Sequence, residues 1–138
     1  MPQKPDTTEI AIVGAGPAGV AAAVTAARAG ASVTVLDEYA RPGGQYYKQP
    51  AHADGGPTYP NSLASNIEQG RELLEGLSHP GINLQCNTLA WNISADELVL
   101  DLCGPAGARA LQAQCIILCA GATERVMPFP GWTLPGVI

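Results

Sequence analysis

Basic side chains are scarce in this chain. Its 138 residues include 7 lysine or arginine residues against 12 aspartate or glutamate residues, which gives a net charge of -5. Nucleic acids and anionic membrane surfaces are bound through clusters of basic side chains. The sequence therefore predicts that neither is a direct partner.

Long hydrophobic runs are also lacking. The longest apolar stretch, residues 14–27, consists largely of glycine and alanine and ends at Arg28. It is too short and too weakly hydrophobic to cross a bilayer. Residues 1–9 are polar and carry two prolines, which is not the pattern of a secretory signal peptide. We therefore expect a cytoplasmic protein.

The 4 cysteines form no Cys-x-x-Cys pair. Cys115 and Cys119 lie four residues apart in an apolar run that predicts a buried strand, where they would share one face. Two small core residues are a simpler interpretation than a redox or metal pair. His52 and His79 have no metal-binding partner at a useful spacing, so we expect no metal site.

The most informative motif is a glycine turn between a predicted strand and a predicted helix. Residues 8–13 predict a buried parallel strand, and residues 17–29 predict a helix. Between them, Gly14 permits a tight turn, and Gly16 lets the backbone approach a pyrophosphate. Gly19 lets the helix pack closely on the strand. The motif predicts a dinucleotide site at the helix N-terminus.

Two acids follow the next predicted strand, residues 32–36. Asp37 and Glu38 stand at its tip, where a carboxylate can accept hydrogen bonds from ribose hydroxyls. The alternative is a solvated acidic pair that only ends a strand. The strand-tip position favours ribose binding by one of them, with Asp37 the better placed.

The rest of the chain alternates turn-rich segments with short apolar ones. The whole pattern predicts an α/β fold, in which a parallel sheet carries a small antiparallel meander. The predicted elements are a loop at 46–60, a helix at 63–77, a third strand at 82–86, meander strands near 88–94, 97–102 and 108–112, and an apolar strand at 115–118 that rejoins the parallel sheet.

Two strings in this order of elements carry a family resemblance. One is Arg-Pro-Gly-Gly-Gln at residues 41–45, and the other runs through residues 121–137. The chain resembles the FAD-binding half of the flavoprotein disulfide reductase superfamily. It is similar in particular to the FAD-binding subunits of bacterial opine oxidases, hydroxyproline dehydrogenases and hydrogen cyanide synthase. The resemblance implies a Rossmann-like FAD/NAD(P)-binding domain over residues 1–127. Residues 128–138 would begin a crossover to a second dinucleotide-binding domain, so we expect an N-terminal fragment.

The resemblance also implies which residues meet FAD. Residues of the glycine turn and of the helix that follows it would hold the pyrophosphate. The two acids would bind the adenosine ribose, and the remaining residues would line the cofactor. Two departures stand out: Cys-Ala-Gly at residues 119–121 replaces a common Ala-Thr-Gly ending, and Tyr46 and Tyr47 follow the Gly-Gly loop in place of a reactive cysteine pair. The implied residues are Gly14, Gly16, Pro17 and Ala18, then Asp37 and Glu38, then Gly43, Gly44, Gln45, Ala90, Ala120 and Gly121.

The activity implied by the resemblance is an FAD-dependent oxidation of the C–N bond of a small amino or imino acid. A hydride would pass to flavin, and the electrons would pass to a second flavoprotein subunit or another acceptor, the only route by which we expect membrane contact. Two alternatives remain: an NAD(P)H-dependent flavoprotein reductase, and a non-catalytic nucleotide-binding scaffold subunit of a heteromeric oxidase. NAD(P) or an iron–sulfur cluster would bind outside this chain.

No residue in the sequence indicates a general base, so the catalytic residues stay undetermined. We expect residues 1–138 alone to be inactive, because half of the flavin site would be absent. Tyr46, Tyr47 and Tyr59 could line a substrate channel, although packing within their loop is the simpler interpretation.

Overall fold

The computed structural model describes residues 5–47, 61–122 and 128–134, without the side chains of 61–67. Most of the predicted loop at 46–60, and parts of the string at 121–137, lie outside these residues. The elements are β1 (Asp6–Val13), α1 (Pro17–Arg28), β2 (Val33–Leu36), α2 (Asn61–Glu75) followed by a 3-10 turn (Gly76–Ser78), β3 (Ile82–Gln85), β4 (Leu89–Ser94), β5 (Val99–Gly104) and β6 (Gly107–Leu118).

All the strands of the described residues belong to one six-stranded sheet with the order β3-β2-β1-β6-β5-β4. Strands β3, β2, β1 and β6 are parallel, whereas β6, β5 and β4 are antiparallel and form the meander. This confirms the predicted fold class, a Rossmann-like parallel sheet with an antiparallel meander. The predicted strands agree with β1 to β5 to within two residues at each end.

The main departure from the expected elements is β6. The sequence predicts separate strands near 108–112 and at 115–118, but the structure has one 12-residue strand. Leu111 and Ala113 are buried while Gln112 and Gln114 are exposed, so the alternation of faces continues across the expected gap. No glycine or proline interrupts that segment, and the strand therefore runs from the meander into the parallel sheet.

Each face of the sheet has its own core. Ile12, Val33 and Val35 pack against Val20 and other α1 side chains on the helix side. Ala11 and Leu36, which point the opposite way from their neighbours Ile12 and Val35, pack against the meander. The meander contributes the buried residues Leu100, Leu102, Leu111 and Ala113.

The prediction of two core cysteines is wrong for Cys115. Its side chain is exposed, although it faces the same side of the sheet as Ile10, its partner in the register. Cys115 lies on β6, which pairs with the edge of β1 opposite to the one that pairs with β2. Cys119 is half-buried and packs against the helix-side core. All 4 cysteines are free.

The start of α1 packs directly against the turn that follows β1. A Cβ atom on Gly19 would overlap the carbonyl oxygen of Gly14. Gly14 has a φ of 102°, and a Cβ there would overlap the carbonyl oxygen of Cys119. The approach of α1 to the carboxyl ends of β1 and β6 thus depends on both glycines.

We expect Gly19→Ala to destabilise the protein by about 2–3 kcal/mol, because the added methyl group must push α1 away from the turn. Chemical denaturation of the full-length protein without cofactor measures this loss. Gly16→Ala is the matched control, since a Cβ there meets no atom closer than 3.9 Å and the φ of -73° suits alanine. Equal midpoints for Gly19→Ala and wild type would contradict the close approach.

Candidate cofactor-binding site

The carboxyl ends of three parallel strands meet at the glycine turn, residues 14–16. The Gly14 N–H donates to the Leu36 carbonyl at 2.7 Å, and the Cys119 N–H donates to the Val13 carbonyl at 2.7 Å. The turn is therefore held by the ends of β1, β2 and β6. Ligands of open parallel sheets bind outside this edge.

Helix α1 begins at the glycine turn with its first turn uncapped by a side chain. Gly16 is the N-cap residue and makes no side-chain capping hydrogen bond, and Pro17 follows it in the first turn. The N–H groups of a first helical turn have no partners within the helix, and they stand at the positive end of its dipole. This arrangement can bind an anionic phosphate group.

Asp37 ties the tip of β2 to the glycine turn. The residue is 7% exposed. One carboxylate oxygen accepts from the Ala15 N–H at 2.6 Å and the other from the Tyr39 N–H at 2.8 Å. Each carboxylate oxygen can accept more than one hydrogen bond, so Asp37 keeps capacity for a ribose hydroxyl. Glu38, the other predicted acid, is exposed.

A second glycine loop, residues 43–45, lies against the first. The Gly43 N–H donates to the Ala15 carbonyl at 2.7 Å. A Cβ on Gly44, which has a φ of 60°, would lie 2.9 Å from the Cα atom of Gly16. The structure thus brings together two motifs that stand nearly thirty residues apart in the sequence.

The other predicted residues divide into two groups. Ala120 and Gly121 lie two and three residues after the end of β6 and are exposed at the edge that holds the glycine turn. A Cβ on Gly121 would meet open space. Ala90, in contrast, lies on β4, three strands from β1, and packs against the meander-side core. No described contact joins Ala90 to the glycine loops.

The surroundings of Gly16 test whether the site fits a dinucleotide such as FAD. Neither its backbone conformation nor any neighbouring atom of the described chain requires glycine, since the nearest atom to a Cβ would be 3.9 Å away. A pyrophosphate that approaches the backbone here would explain why residue 16 is a glycine. The residues present therefore fit the phosphates of FAD.

Ala15 is a site residue that the sequence did not reveal. It is fully buried. Its N–H donates to Asp37 and its carbonyl accepts from Gly43, so it joins the β2 tip to the second glycine loop. Both interactions use backbone atoms, which leave no signature in side-chain identity. The one available signal was its place between the first two motif glycines.

The thiol beside the site is not activated. Burial raises the pKa of Cys86, and the negative charge of Asp37 raises it further. Cys86 is therefore a neutral thiol at pH 7, unlike the thiolates of dithiol exchange.

Within the described ranges, no cluster of histidine, cysteine or acidic residues could hold a metal ion. Neither described helix is long and apolar enough to cross a membrane.

Comparison with known proteins agrees with this geometry. The family model described as FAD dependent oxidoreductase matches residues 9–117. An opine oxidase subunit of Agrobacterium tumefaciens (strain Ach5) is 35% identical over 96% of this chain. Hydrogen cyanide synthase subunit HcnB of Pseudomonas aeruginosa is 34% identical over 92% of it. The chain spans about a quarter of these relatives, 27% of each.

A solved structure supports the fold. L-proline dehydrogenase from P. horikoshii matches 91% of this chain and 25% of its own, with a TM-score of 0.66 and 20% sequence identity. That identity is too low to carry more than the architecture. The family model, by contrast, covers most of the sequence, including the glycine turn, Asp37 and the second glycine loop. The chain belongs to the FAD dependent oxidoreductase family.

Proposed function

We propose that the full-length protein oxidises the C–N bond of a small amino or imino acid, within an oxidase of more than one subunit. The observation that carries this proposal is that the two glycine loops are joined through Ala15. Most of this chain also matches an opine oxidase subunit. Both named relatives are subunits. We therefore propose a second flavoprotein subunit as the partner. We also propose that the protein lies in the cytoplasm.

In this proposal the described residues bind and orient FAD. The first turn of α1, including Ala18, offers N–H groups to the pyrophosphate beside Gly14 and Gly16. Asp37 accepts from the adenosine ribose, and Gly43, Gly44 and Gln45 line the cofactor. Ala120 and Gly121 approach it from the end of β6, and Ala90 meets the adenine. Bound FAD supplies a two-electron acceptor for the hydride that leaves the carbon bonded to nitrogen.

The proposed division of the chain follows the same account. Residues 1–127 form the N-terminal part of the FAD domain, and residues 128–138 begin the crossover to a second dinucleotide-binding domain. The described residues of the tail make two short turns, in which the Trp132 N–H donates to the Phe129 carbonyl and the Leu134 N–H to the Gly131 carbonyl. An irregular segment of this kind suits a connection between domains.

Asp37→Asn should weaken FAD binding about tenfold or more, because its NH2 group must face the N–H of Ala15 or of Tyr39 and only one oxygen is left to accept hydrogen bonds. Flavin fluorescence titration of the full-length apoprotein measures the dissociation constant. Glu38→Gln is the matched control, since its exposed side chain should change the constant by no more than about twofold. A larger loss in Glu38→Gln than in Asp37→Asn would assign the ribose to Glu38 instead.

The reaction itself is tested by mixing the oxidised holoenzyme with candidate substrates in the absence of oxygen. We expect a small amino or imino acid, such as proline or an opine, to bleach the flavin absorbance band. Bleaching by NADPH alone would favour a flavoprotein reductase. If amines bleach the flavin of the isolated partner subunit and never that of this subunit, this subunit is a scaffold and the proposed oxidation is wrong.

A further inference from the structure

Helix α2 contains a glycine in its interior that the helix does not need. Gly70 lies in the middle of Asn61–Glu75 and is buried. Glycine in a helix interior lowers stability relative to alanine, so an interior glycine suggests a neighbour that leaves no room for a side chain. That neighbour is Tyr47: a Cβ on Gly70 would lie 2.6 Å from its Cγ atom and 2.7 Å from its Cδ1 atom.

The backbone of Tyr47 holds the second glycine loop. Its N–H donates to the Gly43 carbonyl at 3.0 Å. Its carbonyl oxygen lies where a Cβ on Gly43 would be, and Gly43 has a φ of 122° that disfavours any side chain. The segment 43–47 is thus a single tight turn closed by Tyr47.

The same turn is bonded to the glycine turn on its other side. The Gly43 N–H donates to the Ala15 carbonyl at 2.7 Å, and Ala15 in turn donates to Asp37 at 2.6 Å. A continuous series of contacts therefore runs from Gly70 on α2, through Tyr47 and Gly43, to Ala15.

We propose that Tyr47 is a positioning residue for FAD, which acts by packing on Gly70 and holding residues 43–45 against the glycine turn. The contact belongs to the ring carbons and not to the phenol hydroxyl, because the atoms nearest Gly70 are Cβ, Cγ and Cδ1. Gly70 is needed for the same contact, because it leaves room for the ring on α2. The inference rests on the proposed FAD site, and it adds an element outside the family motifs.

The test is a double-mutant cycle on the FAD dissociation constant of the full-length apoprotein, measured by flavin fluorescence titration. Tyr47→Ala removes the ring, and Gly70→Ala displaces it; we expect each to weaken binding about tenfold. The double variant should bind about as weakly as either single one, since both break one contact. Tyr47→Phe keeps the ring carbons and should bind FAD like wild type.

Two further measurements separate positioning from a general loss of folding. Glu72→Ala, at an exposed position of α2, is the helix control and should leave FAD affinity unchanged. Gly70→Ala should leave the apoprotein cooperatively folded in a thermal melt, because the helix preference of alanine offsets part of the cost of displacing the ring.

Three results would overturn the inference. Wild-type FAD affinity in both single variants would show that the ring does not hold the loop. Additive losses in the double variant would show that Tyr47 and Gly70 act separately. Absence of FAD binding by the wild-type protein would reject the proposed site itself, a result distinct from the other two because no variant is needed to see it.

Discussion

The hydrogen bond between the Ala15 N–H and the buried Asp37 carboxylate organises this edge of the sheet. A buried carboxylate needs partners, and Asp37 finds them in the backbones of the glycine turn and of Tyr39. The bond holds the peptide group between Gly14 and Ala15, and the next peptide group along the turn accepts the Gly43 N–H at the Ala15 carbonyl. One acid thus determines where two loops meet, and the meeting of those loops creates a place where a dinucleotide can lie.

The glycines of the turn serve different physical purposes. Gly14 is required by its backbone conformation and by the end of β6, and Gly19 is required by the packing of α1 on the turn. Gly16 meets neither requirement within the described chain. The contrast separates glycines that the fold requires from one that the described chain does not require and that a bound phosphate would explain. It supports the FAD site with an observation that is independent of sequence similarity.

The sequence predicted what depends on local pattern. The strand–turn–helix motif, the acid at the tip of β2 and the meander follow from alternation, turn residues and motif spacing, and the structure has the predicted elements in that order. The continuity of β6 was missed because two short apolar runs suggested a break that no turn residue makes. The contacts Ala15–Gly43 and Tyr47–Gly70 were also missed, since the first uses backbone atoms and the second joins distant segments.

Hydrogen–deuterium exchange of the full-length protein, with and without FAD, tests the central claim that FAD lies on the two joined loops. We predict that FAD slows exchange in peptides covering residues 14–19 and 43–47, where the ligand shields the N–H groups and tightens the loops. The turn at residues 95–98, at the far end of the meander, should exchange at the same rate in both samples. Slowing confined to regions outside these loops, with 14–19 and 43–47 unchanged, would contradict the account.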